Sequence, residues 1–297
     1  MPEPFPPYSV GVTVLEIIQR SSEFLAKKGV DSARLQTELL LAHLLGVPRM
    51  QLYLNFERIL TDKEVNQFRD YIKRRGQREP LQHIVGSTCF CGLEIAVTRD
   101  VLVPRPETEL LAERGWQFLN QLATSRSGLR ALDFGTGSGC IAITLADKCP
   151  GIEVHAVDSS EAALKVAEQN AARLQKADRI KFSLGTGLEV LPKSLQFDLV
   201  ISNPPYIPTA EIATLEPEVR DFDPRPALDG GSDGLDVYRQ LALEAAPRLN
   251  RGGKAMLEFG DGQAEKLKEI FLSENWIVEA VIEDYTRRPR ILIASRN

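Results

Sequence analysis

An apolar run at 129–134 passes directly into Gly135-Thr136-Gly137-Ser138-Gly139, and helical spacing resumes at 140–148. Glycines at alternate positions let a backbone turn tightly and approach a ligand that a Cβ would exclude, while the free amides of the following helix face it. Such a loop alone suits many nucleotides. Asp158 closes the next apolar run, 23 residues after Gly135, where a carboxylate can accept both hydroxyls of a ribose. Phosphate is disfavoured, because the loop lacks the Gly-Lys-Ser/Thr ending of a Walker loop and the acidic Asp133 stands two residues before Gly135. A cationic nucleoside without phosphate fits better, and S-adenosylmethionine is one.

A second group of residues follows the apolar run 197–202, namely Asn203-Pro204-Pro205-Tyr206. Two consecutive prolines stiffen the turn and remove two backbone donors, leaving carbonyls as acceptors. Asn203 adds a side-chain acceptor and Tyr206 a flat aromatic face. A site rich in acceptors with an aromatic wall selects a planar group bearing an NH2.

Together, Asp133-x-Gly-x-Gly-x-Gly139 and Asn203-Pro204-Pro205-Tyr206 resemble the S-adenosylmethionine-dependent methyltransferases that modify planar amino groups, either the adenine exocyclic amine or the glutamine side-chain amide. The segments 101–109 (Val-Leu-Val-Pro-Arg-Pro-Glu-Thr-Glu) and 224–235 (Pro-Arg-Pro-Ala-Leu-Asp-Gly-Gly-Ser-Asp-Gly-Leu) narrow the resemblance to the HemK/PrmC family, and 31–34 with 38–42 are similar too. That resemblance implies a Rossmann-like seven-stranded methyltransferase sheet behind a helical N-terminal domain. It also implies methyl transfer to the glutamine of the Gly-Gly-Gln motif in class I peptide chain release factors. A relative that modifies a ribosomal-protein glutamine is the nearest alternative. The cofactor residues it implies are Asp133, Gly135, Thr136, Gly137, Ser138, Gly139, Asp158 and Asn203; the catalytic ones are Asn203, Pro204, Pro205 and Tyr206. By spacing back from Asn203, the resemblance implies adenine contacts near 187 and 188, an acidic residue and an aromatic or apolar one, where this chain has Gly187 and Leu188, so apolar contact and backbone would hold the ring. Arg105, Pro106, Glu107 and Glu109 are candidates for a substrate loop, although both glutamates would equally suit the positive end of a helix.

These residues need a scaffold. Apolar runs at 131–134, 152–157, 180–184, 197–202, 254–258, 278–282 and 291–294 alternate with helical patterns, which predicts a doubly wound α/β sheet. From 14 to 75 the apolar residues recur at helical spacing and predict a small all-helical unit. Within it Thr61-Asp62-Lys63-Glu64 reads as a capping box opening a helix toward Arg75. Ser32 is expected to cap a helix whose apolar stripe is Leu35, Leu39, Leu40, Ala42, Leu44 and Leu45, stopped by Gly46 and Pro48. Arg69, Lys73, Arg74, Arg75 and Arg78 read as a solvated face, because Asp70 and Glu79 interrupt the run. Between 86 and 104, Phe90, Leu93, Ile95, Val97, Val101 and Val103 alternate about Gly92 and predict a β-hairpin linker. The expected organisation is a helical substrate-recognition domain at 1–85, the hairpin linker at 86–105 and a methyltransferase domain at 106–297.

Thirty-six Lys and Arg against 41 Asp and Glu leave a net charge of −5, so no global positive field favours tight nucleic-acid binding. That weighs against a DNA adenine methyltransferase, which also needs a target-recognition domain for base flipping. A non-catalytic cofactor-binding scaffold would be expected to lack Asn203 or Tyr206. No apolar run approaches the roughly 18–20 residues of a membrane span, and Met1-Pro2-Glu3-Pro4 has neither the basic start nor the apolar stretch of a signal peptide. A cytoplasmic location, without membrane partners, is expected. Cys89, Cys91, Cys140 and Cys149 are too few and uneven for a disulfide framework. Cys89 and Cys91 are spaced to share a strand face but lack the further ligands of a zinc site, so no metal is expected. His43 and His155 sit in apolar patterns and read as packed or partly exposed rather than catalytic.

Overall fold

The computed structural model describes residues 11–296. Asn297 and the Met1-Pro2-Glu3-Pro4 start, on which the signal-peptide reading rests, lie outside the described residues. In chain order the elements are α1 (Val14–Lys27), α2 (Ala33–Leu45), α3 (Arg49–Leu54), α4 (Asp62–Gly76), α5 (Leu81–Val85), β1 (Ser87–Phe90), β2 (Leu93–Ala96), α6 (Pro106–Ala123), β3 (Arg130–Phe134), α7 (Cys140–Lys148), β4 (Glu153–Asp158), α8 (Glu161–Arg173), β5 (Ile180–Leu184), β6 (Phe197–Ser202), α9 (Pro217–Arg220), α10 (Asp236–Glu244), β7 (Leu249–Glu258), α11 (Ala264–Ser273), β8 (Ile277–Glu283) and β9 (Pro289–Ser295).

One compact unit runs to Gly86 and also takes in Glu216–Phe222, a short segment that the sequence gives no reason to separate from its flanks. Two of its helices begin with capping boxes. Thr61 and Glu64 form the predicted capping box on α4, and Thr13 and Glu16 form another on α1. Ile17, Ile18, Leu25, Leu40, Leu41, Leu52, Phe68 and Ile72 fill the core between α1, α2, α3 and α4. Two expectations about α2 are corrected. Ser32 makes no side-chain cap and adopts a left-handed φ of +48°, and Leu35 and Leu39 are exposed. Leu40 and Ala42 of the expected stripe are buried, and contact with α1 and α4 adds Leu41 in place of Leu35 and Leu39. The basic run on α4 is also not simply solvated. Buried Arg75 donates to Glu218 at 2.7 Å and Arg78 donates to Glu218 at 2.6 Å and to Glu216 at 2.9 Å, so α9 and the residue before it cover this part of the helix.

The other unit spans Ser87–Leu215 and Asp223–Asn297 and holds the sheet. Among the described residues the sheet has seven strands in the order β5-β4-β3-β6-β7-β9-β8, with β9 antiparallel to both neighbours and the remaining pairs parallel. One apolar layer joins its face to α6 and α7, the other to α10 and α11. All six residues of β6 are buried, including Asp198, whose carboxylate accepts the Arg130 amide at 2.9 Å and the Asn250 side-chain amide at 3.0 Å. Strand order reverses between β3 and β6, which opens a crevice at their carboxyl ends.

The β1–β2 hairpin packs within this unit. Cys91 (φ +50°) and Gly92 (φ +82°) make its two-residue turn, so Cys89 lies on the strand while Cys91 lies in the turn. Asn170 of α8 clamps it, accepting the Ala96 amide and donating to the Ala96 carbonyl, both at 2.9 Å. No helix among the described residues is long and apolar enough to cross a membrane. His155 is buried against Phe197 and bonded to Glu153, and His43 is exposed.

Candidate active site at the carboxyl edge of the sheet

The glycine loop takes its shape from β4. The amides of Gly135 and Thr136 donate to the Val157 carbonyl at 2.8 and 3.1 Å, and the Gly137 amide donates to the Asp158 carboxylate at 2.8 Å. Gly135 and Gly137 have φ of +72° and +56°, and a Cβ built on either meets no atom within 4 Å. Their absent side chains leave a cradle open rather than relieve a clash. Gly139 does the reverse, its missing Cβ admitting α8 through Ala167. Beneath the loop Asp133 is fully buried. One of its oxygens accepts the Thr136 hydroxyl at 2.7 Å and the Ala142 amide at 3.1 Å, while Oδ1 has no partner. Burial pushes its pKa up to about 7, with Asp158 adding to the rise and the two donors opposing it. Asn170 also donates to the Ser138 carbonyl at 3.0 Å, so one side chain ties the loop to the hairpin.

The Ser202 hydroxyl donates to the Phe134 carbonyl at 2.6 Å and so pins the end of β6 to the end of β3. Asn203 therefore emerges beside the glycine loop. Its Nδ2 donates to the Thr108 hydroxyl at 3.0 Å, and among the described residues neither its Oδ1 nor the Pro204 carbonyl accepts a hydrogen bond. The turn is clasped from outside by residues 228–234. Ile207 donates to the Leu228 carbonyl at 3.0 Å, Gly230 donates to the Ile207 carbonyl at 2.9 Å, and a Cβ on Gly234 would lie 2.2 Å from the Tyr206 carbonyl oxygen. Close backbone approach explains Gly230 and Gly234.

A cavity of about 430 Å³ opens here, within the roughly 300–1,000 Å³ of small-molecule sites. Gly135, Gly137, Asp158, Asn203, Pro204 and Pro205 all line it. Its charged lining residues are Asp100, Asp158 and Asp229, with no Lys or Arg among them. Each Asp158 oxygen accepts one backbone amide, from Gly137 or Ser160, and retains room to accept a hydroxyl. An acidic lining, an open glycine cradle and an unpartnered Asp133 oxygen fit S-adenosylmethionine and disfavour a phosphate.

Other residues singled out in the sequence sit elsewhere. Gly187 and Leu188 do not line the cavity. Leu188 is buried in the core with its amide bonded to Glu244 at 2.7 Å, and Gly185 and Thr186 take the lining position. Tyr206 is not a wall of the cavity either. Its ring lies against Gly260 and the apolar layer of α10 and α11, its carbonyl accepts from Gln263 at 2.8 Å, and burial pushes its hydroxyl up to about 12. In the substrate-loop candidates, Arg105 pairs with Asp223 at 2.6 Å, Pro106 starts α6, Glu107 is exposed, and Glu109 accepts the Cys91 amide at 2.9 Å. Thr108, which meets Asn203, and Asn170, which holds the glycine loop, are not legible as site residues in the sequence. Their signal is the meeting of distant elements, which local spacing does not carry.

Residues 16–86 match the family described as PrmC N-terminal domain, and residues 113–215 match the family described as Methyltransferase small domain. The chain is 44% identical over 259 residues to a release factor glutamine methyltransferase of Geobacter sulfurreducens, covering 87% of this chain and 88% of the relative. It is 42% identical over 287 residues to that of Chlorobaculum tepidum, covering 94% and 95%. Among solved structures, a methyltransferase from Pyrococcus furiosus is similar in fold, with a TM-score of 0.51 at 23% identity over 70% of this chain and 91% of that one. Relatives that align with both units at this identity leave one assignment: the chain belongs to the release factor glutamine methyltransferase family.

Proposed function

We propose that this enzyme transfers a methyl group from S-adenosylmethionine to the side-chain amide nitrogen of the glutamine in the Gly-Gly-Gln motif of class I release factors. The observation that carries the reading is that Asn203 and Pro204, whose Oδ1 and carbonyl accept no hydrogen bond among the described residues, line the same cavity as Gly137 and Asp158. Bound S-adenosylmethionine supplies an electrophilic methyl group on a sulfonium. The glycine cradle holds the nucleoside, Asp158 accepts its ribose hydroxyls, and Gly185 and Thr186 meet the adenine end in place of Gly187 and Leu188.

An amide nitrogen is a poor nucleophile, because its lone pair is delocalised into the carbonyl. Asn203 Oδ1 and the Pro204 carbonyl accept its two hydrogens, turn the nitrogen toward the donor and balance the positive charge that develops on it. Pro205 fills the adjoining wall, while Tyr206 anchors the turn from behind. The excess proton leaves to solvent, and no histidine takes part. The helical unit docks the protein substrate in this reading, which takes place in the cytoplasm without tight nucleic-acid binding. Removing an oriented acceptor costs about 2.7–4 kcal/mol in comparable sites, so Asn203→Ala lowers turnover on release factor about 10²–10³-fold. Cofactor affinity, measured on the same variant by calorimetry, changes much less. Near-normal turnover would remove Asn203 from the amide site.

A further inference from the structure

Gln263, the residue before α11, is buried behind the Asn203-Pro204-Pro205-Tyr206 turn and does not line the cavity. Its side chain gathers three backbone segments. Nε2 donates to the Tyr206 carbonyl at 2.8 Å and to the Gly234 carbonyl at 3.4 Å, and Oε1 accepts the Gly260 amide at 2.8 Å. A primary amide has two hydrogens and one carbonyl oxygen to offer, so both polar atoms of this side chain are engaged. Its orientation is unambiguous, because a reversed amide would set the oxygen against two carbonyls and the NH2 against an N–H. Glycines make room for it: a Cβ on Gly234 would lie 2.6 Å from Nε2, and one on Gly260 would lie 2.9 Å from Oε1.

We propose that Gln263 is a positioning residue for methyl transfer, fixing through the Tyr206 carbonyl the angle at which Asn203 Oδ1 and the Pro204 carbonyl meet the substrate amide. The proposal rests on the reading of those two atoms as the amide acceptors. Its ground is that the turn is held at both ends. The Ser202 hydroxyl pins the end of β6 to the Phe134 carbonyl at 2.6 Å, and Gln263 holds Tyr206 at the far end. Between them the rings of Pro204 and Pro205 lock two φ angles, so few torsions are left to absorb a shift at either end. A displaced Tyr206 carbonyl therefore turns the Pro204 carbonyl with it. Misplacing a reacting group by about 1 Å costs on the order of 10²-fold in rate.

Gln263→Met and Gln263→Glu separate the parts of this clamp. Met fills nearly the same volume without any of the three hydrogen bonds. Glu keeps an acceptor for the Gly260 amide but turns an oxygen, in place of the NH2, toward the Tyr206 and Gly234 carbonyls. Both variants should lose about 10–100-fold in kcat on release factor, with KM for release factor and calorimetric affinity for S-adenosylmethionine within about twofold of the wild type. A second readout needs no substrate. The Ile207 amide, which follows Tyr206 and donates to the Leu228 carbonyl, should exchange its hydrogen roughly tenfold faster in both variants, while the amides of β3 and β4 exchange as in the wild type. Wild-type kcat in either variant, or a loss that appears only in KM, overturns the proposal. Faster exchange throughout the sheet overturns it as well, since that marks a general loss of packing. Local exchange at Ile207 that responds as expected, in a protein whose wild type binds cofactor but leaves the release-factor glutamine unmethylated, supports the clamp on the turn and sinks the substrate reading instead.

Discussion

Asp158 shapes the glycine loop with the same carboxylate that faces the cavity, since it accepts the Gly137 and Ser160 amides at 2.8 and 2.9 Å. Burial raises its pKa, and these amides oppose the rise without cancelling it. A protonated Asp158 loses acceptor capacity, so cofactor affinity falls as pH is lowered. Asp158→Asn exchanges a charge-assisted acceptor, worth about 1.5–3 kcal/mol, for a group that can only half replace it, and weakens S-adenosylmethionine binding at least about tenfold. Unchanged affinity in calorimetric titration would remove Asp158 from the site. Asp158, Gly135, Gly137 and Asn203 are legible in the sequence because their types are constrained locally: a positive φ, a strand end, a stiff turn. Thr108 is not, since its partner Asn203 is 95 residues away and a threonine in a first helical turn has no spacing that announces it. Tyr206 misleads because an aromatic beside a site reads as a wall, whereas missing side-chain atoms at Gly260 make room for its ring behind the turn.

The same division holds for elements. The Thr61 box, the alternation around Gly92 and the sheet runs are readable because caps, turns and period-two burial are written within a few residues. The stripe on α2 is ambiguous because six leucines leave more than one face apolar, and only packing against α1 and α4 decides which is buried. The basic run on α4 is the clearer case. Nothing near Arg75 foretells Glu218, 143 residues later. Arg75 also donates to the Glu79 carbonyl at 3.2 Å and to Gln36, so its loss strands several acceptors at once. Breaking a buried pair by removing one partner costs about 3–5 kcal/mol, and Arg75→Ala should destabilise the helical unit by about the lower figure because Glu218 keeps Arg78. It should also loosen α9, so trypsin should cut after Arg220 faster than in the wild type. A variant with unaltered denaturation and an equally resistant Arg220 bond would reduce the ion pair to a surface contact.

For the whole molecule, two buried carboxyls, one on β3 and one on β7, are a cost that pH controls. Asp133 and Glu258 are each raised to about 7 in the folded chain, chiefly by burial, from ordinary values of 3.8 and 4.5. Between those ordinary values and about 7 the folded state holds more protons than the unfolded one, so stability falls as pH rises through this window and the loss is complete above it. A tenfold difference in proton affinity between the two states is worth about 1.4 kcal/mol, so each group gives up on the order of 3–4 kcal/mol by pH 8. Both tryptophans, Trp116 and Trp276, lie in the sheet-bearing unit, so their fluorescence follows that unit without reporting on the helices. Urea denaturation followed by this fluorescence should give a clearly lower midpoint at pH 8 than at pH 6, and Asp133→Asn should shrink the difference. A wild type equally stable at both pH values would mean that the carboxyls titrate as exposed ones do.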